Sequence, residues 1–149
     1  MHTAADPHNL QRFLEAQAPV YETVVSELRA GRKRSHWIWF IFPQIAGLGH
    51  SPTAQYFAIH TLGEARAYIE HPILGPRLRD CTELVNRIAD AAIHDIFASP
   101  DDMKFRSSMT LFAQATATNP IFVQAIETHF DGKFDDLTLN LLHNPKSRS

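Results

Sequence analysis

The sequence predicts an all-α fold, a single compact domain of several helices. Three observations carry that expectation. Apolar residues recur at three- and four-residue spacing along most of the chain, helix-start signals pairing a capping side chain with a proline recur through it, and no segment alternates with period two or carries a hairpin turn. With 149 residues, 44% hydrophobic content and ten Phe, the chain has enough apolar surface for a substantial core. Its 20% charged content is too low for typical disorder.

The elements follow in order. Asp6 caps a first helix with Pro7 in its first turn, and Leu10, Phe13 and Leu14 recur at helical spacing. After Pro19, residues Val20, Val24 and Leu28 fall on one face, Val25 widens it, and Gly31 stands where a left-handed C-terminal cap belongs. Ser35 then precedes the aromatic run Trp37-Ile38-Trp39-Phe40-Ile41-Phe42, closed by Pro43. Periodicity cannot tell a strand from a helix in so short a run, but a lone strand would lack ladder partners, so we read a short helix capped by Ser35. Gly47-Leu48-Gly49-His50 is a loop, and Ser51-Pro52 starts the next helix.

Thr61-Leu62-Gly63-Glu64 has capping-box spacing, with Ala65, Tyr68 and Ile69 on the buried side. From Pro72 a longer helix carries Leu74, Leu78, Cys81, Leu84, Val85, Ile88 and Ala92, with Pro76 in its first turn or at a kink, and the core is expected to centre there. Ser99-Pro100-Asp101-Asp102 starts another, continued by Met103, Leu111 and Ala115. Asn119-Pro120 starts a helix with Phe122, Val123, Ile126 and Phe130 inward, ended by Asp131-Gly132, and Asp135 caps a last one through Leu142. A domain spanning 1–149 is expected, with an ordered core of roughly 7–143 and a frayed tail at 144–149.

Composition narrows function by exclusion. A net charge of −2 excludes a wholesale polycation, and the single cysteine, Cys81, excludes an internal disulfide scaffold. The reading is a cytoplasmic protein with no membrane span, since the aromatic run is far too short to cross a bilayer and the first residues do not resemble a signal peptide. The nine His are scattered, without metal-ligand spacing, so neither a metal nor a cofactor is expected. Cys81 reads as an inert core thiol.

Charge is unevenly divided. From Leu28 to Gly63 there is no Asp or Glu, while Arg29, Arg32, Lys33 and Arg34 give +4, so the rest of a chain that nets −2 carries −6. Lys33, Arg34 and His36 stand immediately before Trp37 and Trp39, a pattern that suits an anion bearing a flat group: cations for the anion, indole faces for the ring. The plainer reading is a helix C-terminus that favours cations, followed by core aromatics. Gln44, Gly47, Gly49 and Ser51 offer backbone or side-chain donors near a helix start, or ordinary turn chemistry. Lys104, Ser107 and Ser108 form either a polar pocket wall or a small-residue packing face.

The segment Gly31-Arg32-Lys33-Arg34-Ser35-His36-Trp37-Ile38-Trp39-Phe40-Ile41-Phe42-Pro43-Gln44, followed by Gly47-Leu48-Gly49-His50-Ser51, resembles the domain of unknown function 1810 family, some of whose members have carried the label calpastatin. The resemblance extends to Glu64-Ala65, to His71 through Leu78, and to Asp102 with Lys104 through Phe112, nearly the whole chain. It implies a mainly helical fold and no established activity. Ala98-Ser99-Pro100 departs from the family's Gly-x-x, and Phe105 stands where Leu is common. The calpastatin label conflicts with a core-rich chain, because calpastatin inhibitory segments are disordered. A looser likeness is to the NADAR, or YbiA-like, proteins, which act on ADP-ribose-type or riboflavin-intermediate nucleosides.

These readings converge on a domain that binds a small phosphorylated or nucleotide-like molecule such as an ADP-ribose derivative. If it is an enzyme, the expectation is an N-glycosidase-like or other hydrolase with His36 as proton carrier. The alternative is a non-enzymatic protein-interaction module whose aromatic and basic segment is purely structural. Nucleic acid is not the expected partner, because so small a cluster of cations gives only weak, unspecific binding.

Overall fold

The computed structural model describes residues 6–88 and 91–143, and the expected frayed tail lies outside them. The described residues form ten helices: α1 (Gln11–Gln17), α2 (Tyr21–Arg29), α3 (Ile38–Ile41), α4 (Pro52–Tyr56), α5 (Leu62–Glu70), α6 (Leu74–Asn86), α7 (Ile93–Phe97), α8 (Asp101–Ala115), α9 (Ile121–His129) and α10 (Asp136–His143). The only β pairing among them is one parallel bridge between Ile45 and Ile59. No helix there is long and apolar enough to cross a membrane.

Several start and stop signals act as their chemistry dictates. Gly31 takes φ +78° at the end of α2, letting the Arg32 amide donate back to the Glu27 carbonyl. Ser51 Oγ accepts from the Ala54 amide at 3.1 Å, with Pro52 next in line. Asp135 Oδ2 accepts from both the amide and the hydroxyl of Thr138.

Elsewhere the packed chain overrides the local signal. Asp6 accepts from the Leu10 and Gln11 amides, but Asn9 at φ +51° interrupts the turn and α1 starts only at Gln11. Ser35 caps nothing, because its hydroxyl donates to Glu27. The capping box before α5 is half made: Thr61 Oγ1 accepts from Glu64, while the Glu64 carboxylate turns to His60 and Arg12. The helix expected to reach Ala92 stops at Asn86, and Ala92 becomes the first cap of α7, an element with no expectation from sequence.

The core is organised on α8. Helices α5 and α9 each pack against both α6 and α8, α7 and α10 pack on α8, α2 packs on α6, α1 packs on α3, and α3 rests on α6 and α8. Residues 107–112 of α8 are all buried, so this helix has no solvent face over that stretch and no strong amphipathic signal. Met103, near the start of α8, is 46% exposed, and the centre of the molecule is α8 rather than α6. Its small polar residues are spent on packing. Thr110 Oγ1 donates to the Arg106 carbonyl and accepts from the Asp135 amide, and Ser107 Oγ lies 3.2 Å from Asp135 Oδ2, so α8 docks the start of α10.

Candidate functional site

The acid-free segment is moulded by one carboxylate that precedes it. Glu27 accepts hydrogen bonds from the Arg34 amide (2.7 Å), the Ser35 amide (3.0 Å), the Ser35 hydroxyl (2.6 Å) and the Trp37 indole N–H (2.9 Å). Burial alone would raise the pKa of this carboxyl, but the four donors outweigh it and hold the group at about 2, against an ordinary 4.5. Residues 33–37 are thereby wrapped around the end of α2. Trp37 is turned inward at 1% exposure, its ring packed against Phe42 and Phe97.

Lys33 is drawn into the same scaffold. Its Nζ donates to the Ser35 carbonyl and pairs with Asp101 Oδ2 at 2.7 Å, and its side chain is only 7% exposed. Asp101 Oδ1 in turn lies 3.6 Å from Lys104 Nζ, which stands 4.8 Å above the Trp39 ring. Arg34 and His36 are exposed.

Beyond α3 the chain turns at Pro43 and returns through a loop closed by the Ile45–Ile59 bridge, in which the Ala46 amide donates to the Ile59 carbonyl (2.8 Å) and the Ile59 amide to the Gln44 carbonyl (2.9 Å). Helix α4 lies between the two ends of that bridge. Between loop and helix opens a cleft of about 340 Å³ whose lining includes Trp39, Gln44, Gly47 and Gly49. Gln55, Phe57 and His60 complete it from the α4 side.

Both glycines have structural reasons to be there. Gly47 takes φ +104° with Leu141 against it, and a Cβ on Gly49 would lie 2.5 Å from that of Ala54. Trp39 is half-buried and Phe57 likewise, giving the cleft two aromatic walls. The Gln44 side-chain amide makes no hydrogen bond to any described residue, whereas Gln55 Nε2 donates to the His50 carbonyl. The cleft thus offers ring faces and an unspent amide, with a lysine across one face of its tryptophan.

Four of the candidate residues read from the sequence therefore meet: Trp39, Gln44, Gly47 and Gly49. Lys104 joins them through the Trp39 ring. Lys33, Arg34, His36 and Trp37 are not in the lining, Ser51 is spent on the cap of α4, and Ser107 on Asp135. Ser108 is fully buried on α8, its Oγ without a partner. Among the described residues no three His, Cys, Asp or Glu side chains gather where a metal ion could sit.

The sequence reading passed over Gln55, Phe57 and His60, and with them the residues that hold His60. Its Nδ1 lies 3.4 Å from Glu64 Oε1, which also accepts from the His60 amide. Glu64 Oε2 is paired at 2.7 Å with Arg12, and both side chains are about 5% exposed. Arg12 spends its remaining donors on the carbonyls of His8, Asn9, Tyr56 and Ala58, stitching the N-terminal turn to the end of α4. The four-residue spacing of His60 and Glu64 is a visible signal, but it reads as part of the capping box.

Comparison with curated proteins found no match. Among solved structures, the crystal structure of the conserved hypothetical protein Rv1873 from Mycobacterium tuberculosis at 1.38 Å is 54% identical, with a TM-score of 0.92, over 93% of this chain and 99% of that one. The calpastatin label and the NADAR likeness find no support in these comparisons. The model of a family described as protein of unknown function, DUF1810, matches residues 7–142, and with nearly the whole chain covered the protein belongs to that family.

Proposed function

We propose that the protein binds a small nucleotide-like molecule in the cleft between α3 and α4, with a flat heterocycle against Trp39. The observation that carries the reading is the convergence of the half-buried Trp39 and the unspent Gln44 amide on one concavity of about 340 Å³. That volume is within the range of small-molecule sites, and an aromatic wall with a few convergent polar groups is their usual make-up. The indole supplies sequence-tolerant stacking and the amide supplies a donor and an acceptor for the edge of a base. An acidic group on the ligand would find Lys104, 4.8 Å from the Trp39 ring.

The test is a thermal-shift and intrinsic-fluorescence titration with uridine, AMP, ADP-ribose and ribose 5-phosphate, on the wild type and on Trp39→Ala. A ligand at a hundred times its Kd stabilises the fold by about 2.7 kcal/mol, a readily measured shift in Tm. The expected result is stabilisation by at least one base-bearing compound, lost in Trp39→Ala. No stabilisation by any of the four, or equal stabilisation of both proteins, overturns the reading and favours a non-enzymatic interaction module.

A further inference from the structure

We propose that Glu27 holds residues 32–35 as a rigid strap presenting Arg32 and Arg34, with Arg29 beside them, as a docking surface for an acidic segment of a partner protein. The inference is independent of the cleft. Side chains along the strap alternate in fate. Lys33 is 7% exposed and paired with Asp101, Ser35 donates to Glu27 and Trp37 is buried, whereas Arg32, Arg34 and His36 are exposed. Arg29, in the last turn of α2, is exposed as well. None of the three arginine side chains has a hydrogen-bond or ionic partner among the described residues.

Helix-end chemistry does not account for Arg32 and Arg34. A cation serving the C-terminus of α2 would bond its last carbonyls, and neither guanidinium does. The backbone beneath them is nonetheless fixed at every residue. The Arg32 amide donates to the Glu27 carbonyl, the Lys33 amide to the Ile96 carbonyl at 2.7 Å, and the Arg34 and Ser35 amides to the Glu27 carboxylate. A mobile cationic loop would lose backbone entropy on binding, whereas this one is ordered by folding. The acids of α7 and the start of α8, which lie against the strap, have partners of their own: Asp101 holds Lys33 and Lys104, Asp102 the Met103 amide and Asp95 the Ala92 amide. Asp80 and Glu83 share the α2–α6 groove with Arg29, and Glu83 is paired with Arg87.

The class of partner follows from the strap's surface. None of the exposed large hydrophobics, Tyr56, Ile73, Met103 and Leu137, lies on it to enter a lipid surface, and its indole, Trp37, is buried and cannot stack a base. Its outward groups are guanidinium forks, which match carboxylates.

The test is fluorescence anisotropy of labelled octaglutamate at low ionic strength, with octathymidylate as the competing polyanion. The wild type is expected to bind octaglutamate. The triple variant Arg29→Gln, Arg32→Gln, Arg34→Gln should bind it about tenfold or more weakly, from about two- to fivefold per exposed ion pair. Glu27→Gln separates a held surface from mere charge. It makes the protein more positive, so charge alone predicts tighter binding, whereas a released strap should bind about threefold or more weakly. Equal or tighter binding by Glu27→Gln overturns the proposal. So does no binding by the wild type, or equal binding by the arginine variant, which changes only exposed side chains and keeps the fold. Tighter binding of octathymidylate than of octaglutamate assigns the surface to nucleic acid, and self-association lost in the arginine variant assigns it to a second copy of the chain; either result overturns the acidic-segment assignment.

Discussion

Replacing Glu27 should loosen the whole segment that leads into the cleft. The carboxylate satisfies four donors, and one of them, the Trp37 indole N–H, sits on a ring only 1% exposed and cannot turn to water. A hydrogen bond to a charged group contributes about 1.5–3 kcal/mol, and a buried donor left alone costs about 1–3 kcal/mol. The two backbone amides and the Ser35 hydroxyl are only part-buried and can be partly rehydrated. The expected cost of Glu27→Ala is therefore about 3 kcal/mol, and of Glu27→Gln, which keeps one acceptor, about 2 kcal/mol.

The titration behaviour of Glu27 gives an independent handle. Its folded pKa of about 2 lies below the ordinary 4.5, so its contribution is present above pH 4.5 and is lost as the pH falls through that value toward 2. The displacement corresponds to about 3 kcal/mol as a ceiling, lowered to about 2 by solvent screening near the end of α2. Urea denaturation of wild type and Glu27→Gln from pH 7 to pH 3 should show a constant gap above pH 5 that closes in acid. For a chain of this length the gap at neutral pH amounts to about 4–8 °C in Tm. A cost below about 0.5 kcal/mol, or a gap that does not narrow in acid, would refute the reasoning.

Three further expectations come from other parts of the fold. Arg12→Met leaves the Glu64 carboxylate buried without its counter-charge and should cost about 3–5 kcal/mol by chemical denaturation, with Arg12→Lys recovering only part because lysine cannot span the same five acceptors. Burial pushes the Cys81 thiol up to about 12, so it should resist a disulfide reagent at pH 8 in the native protein and react at the rate of a free thiol in urea; fast native labelling would contradict its packing against Tyr21. Burial lowers the pKa of His129, so the folded state favours the neutral ring: its contribution is present above pH 6.5 and falls away as the pH drops below that value, and His129→Gln should flatten the stability profile between pH 7 and pH 5.

The parts of the fold legible in the sequence are those where one residue does a local job. Gly31 at positive φ, Ser51 before Pro52 and Asp135 at the head of α10 each act within four residues of themselves. What escaped was decided by contacts distant in sequence. Ser35 looks like a cap until Glu27 takes its hydroxyl, and α8 looks like one helix among several because a helix buried all round shows no periodic stripe. The same holds at the site. Trp39, Gln44, Gly47 and Gly49 could be grouped because they share one compositionally odd stretch, whereas the carboxylate that accepts the His60 amide is held by an arginine 48 positions before that histidine, whose partners no local pattern reveals.

Charge shows most clearly why position along the chain and position in space must be kept apart. The acid-free block suggests a positive surface, yet its Lys33 is neutralised by Asp101 and its amides converge on Glu27, both from outside the block. Asp101 also holds Lys104, and Lys104 covers the Trp39 ring. The cation nearest the cleft's aromatic wall therefore comes from α8 and is already shared with a carboxylate. A phosphate arriving there would compete with Asp101 for a lysine that is only partly exposed, and a ring stacking on Trp39 would share that indole with Lys104, while an edge meeting Gln44 would compete with water alone. On that balance the ligand proposed for the cleft would be selected by shape and hydrogen bonding first, and negative charge on it would add less than the count of basic residues in the block implies.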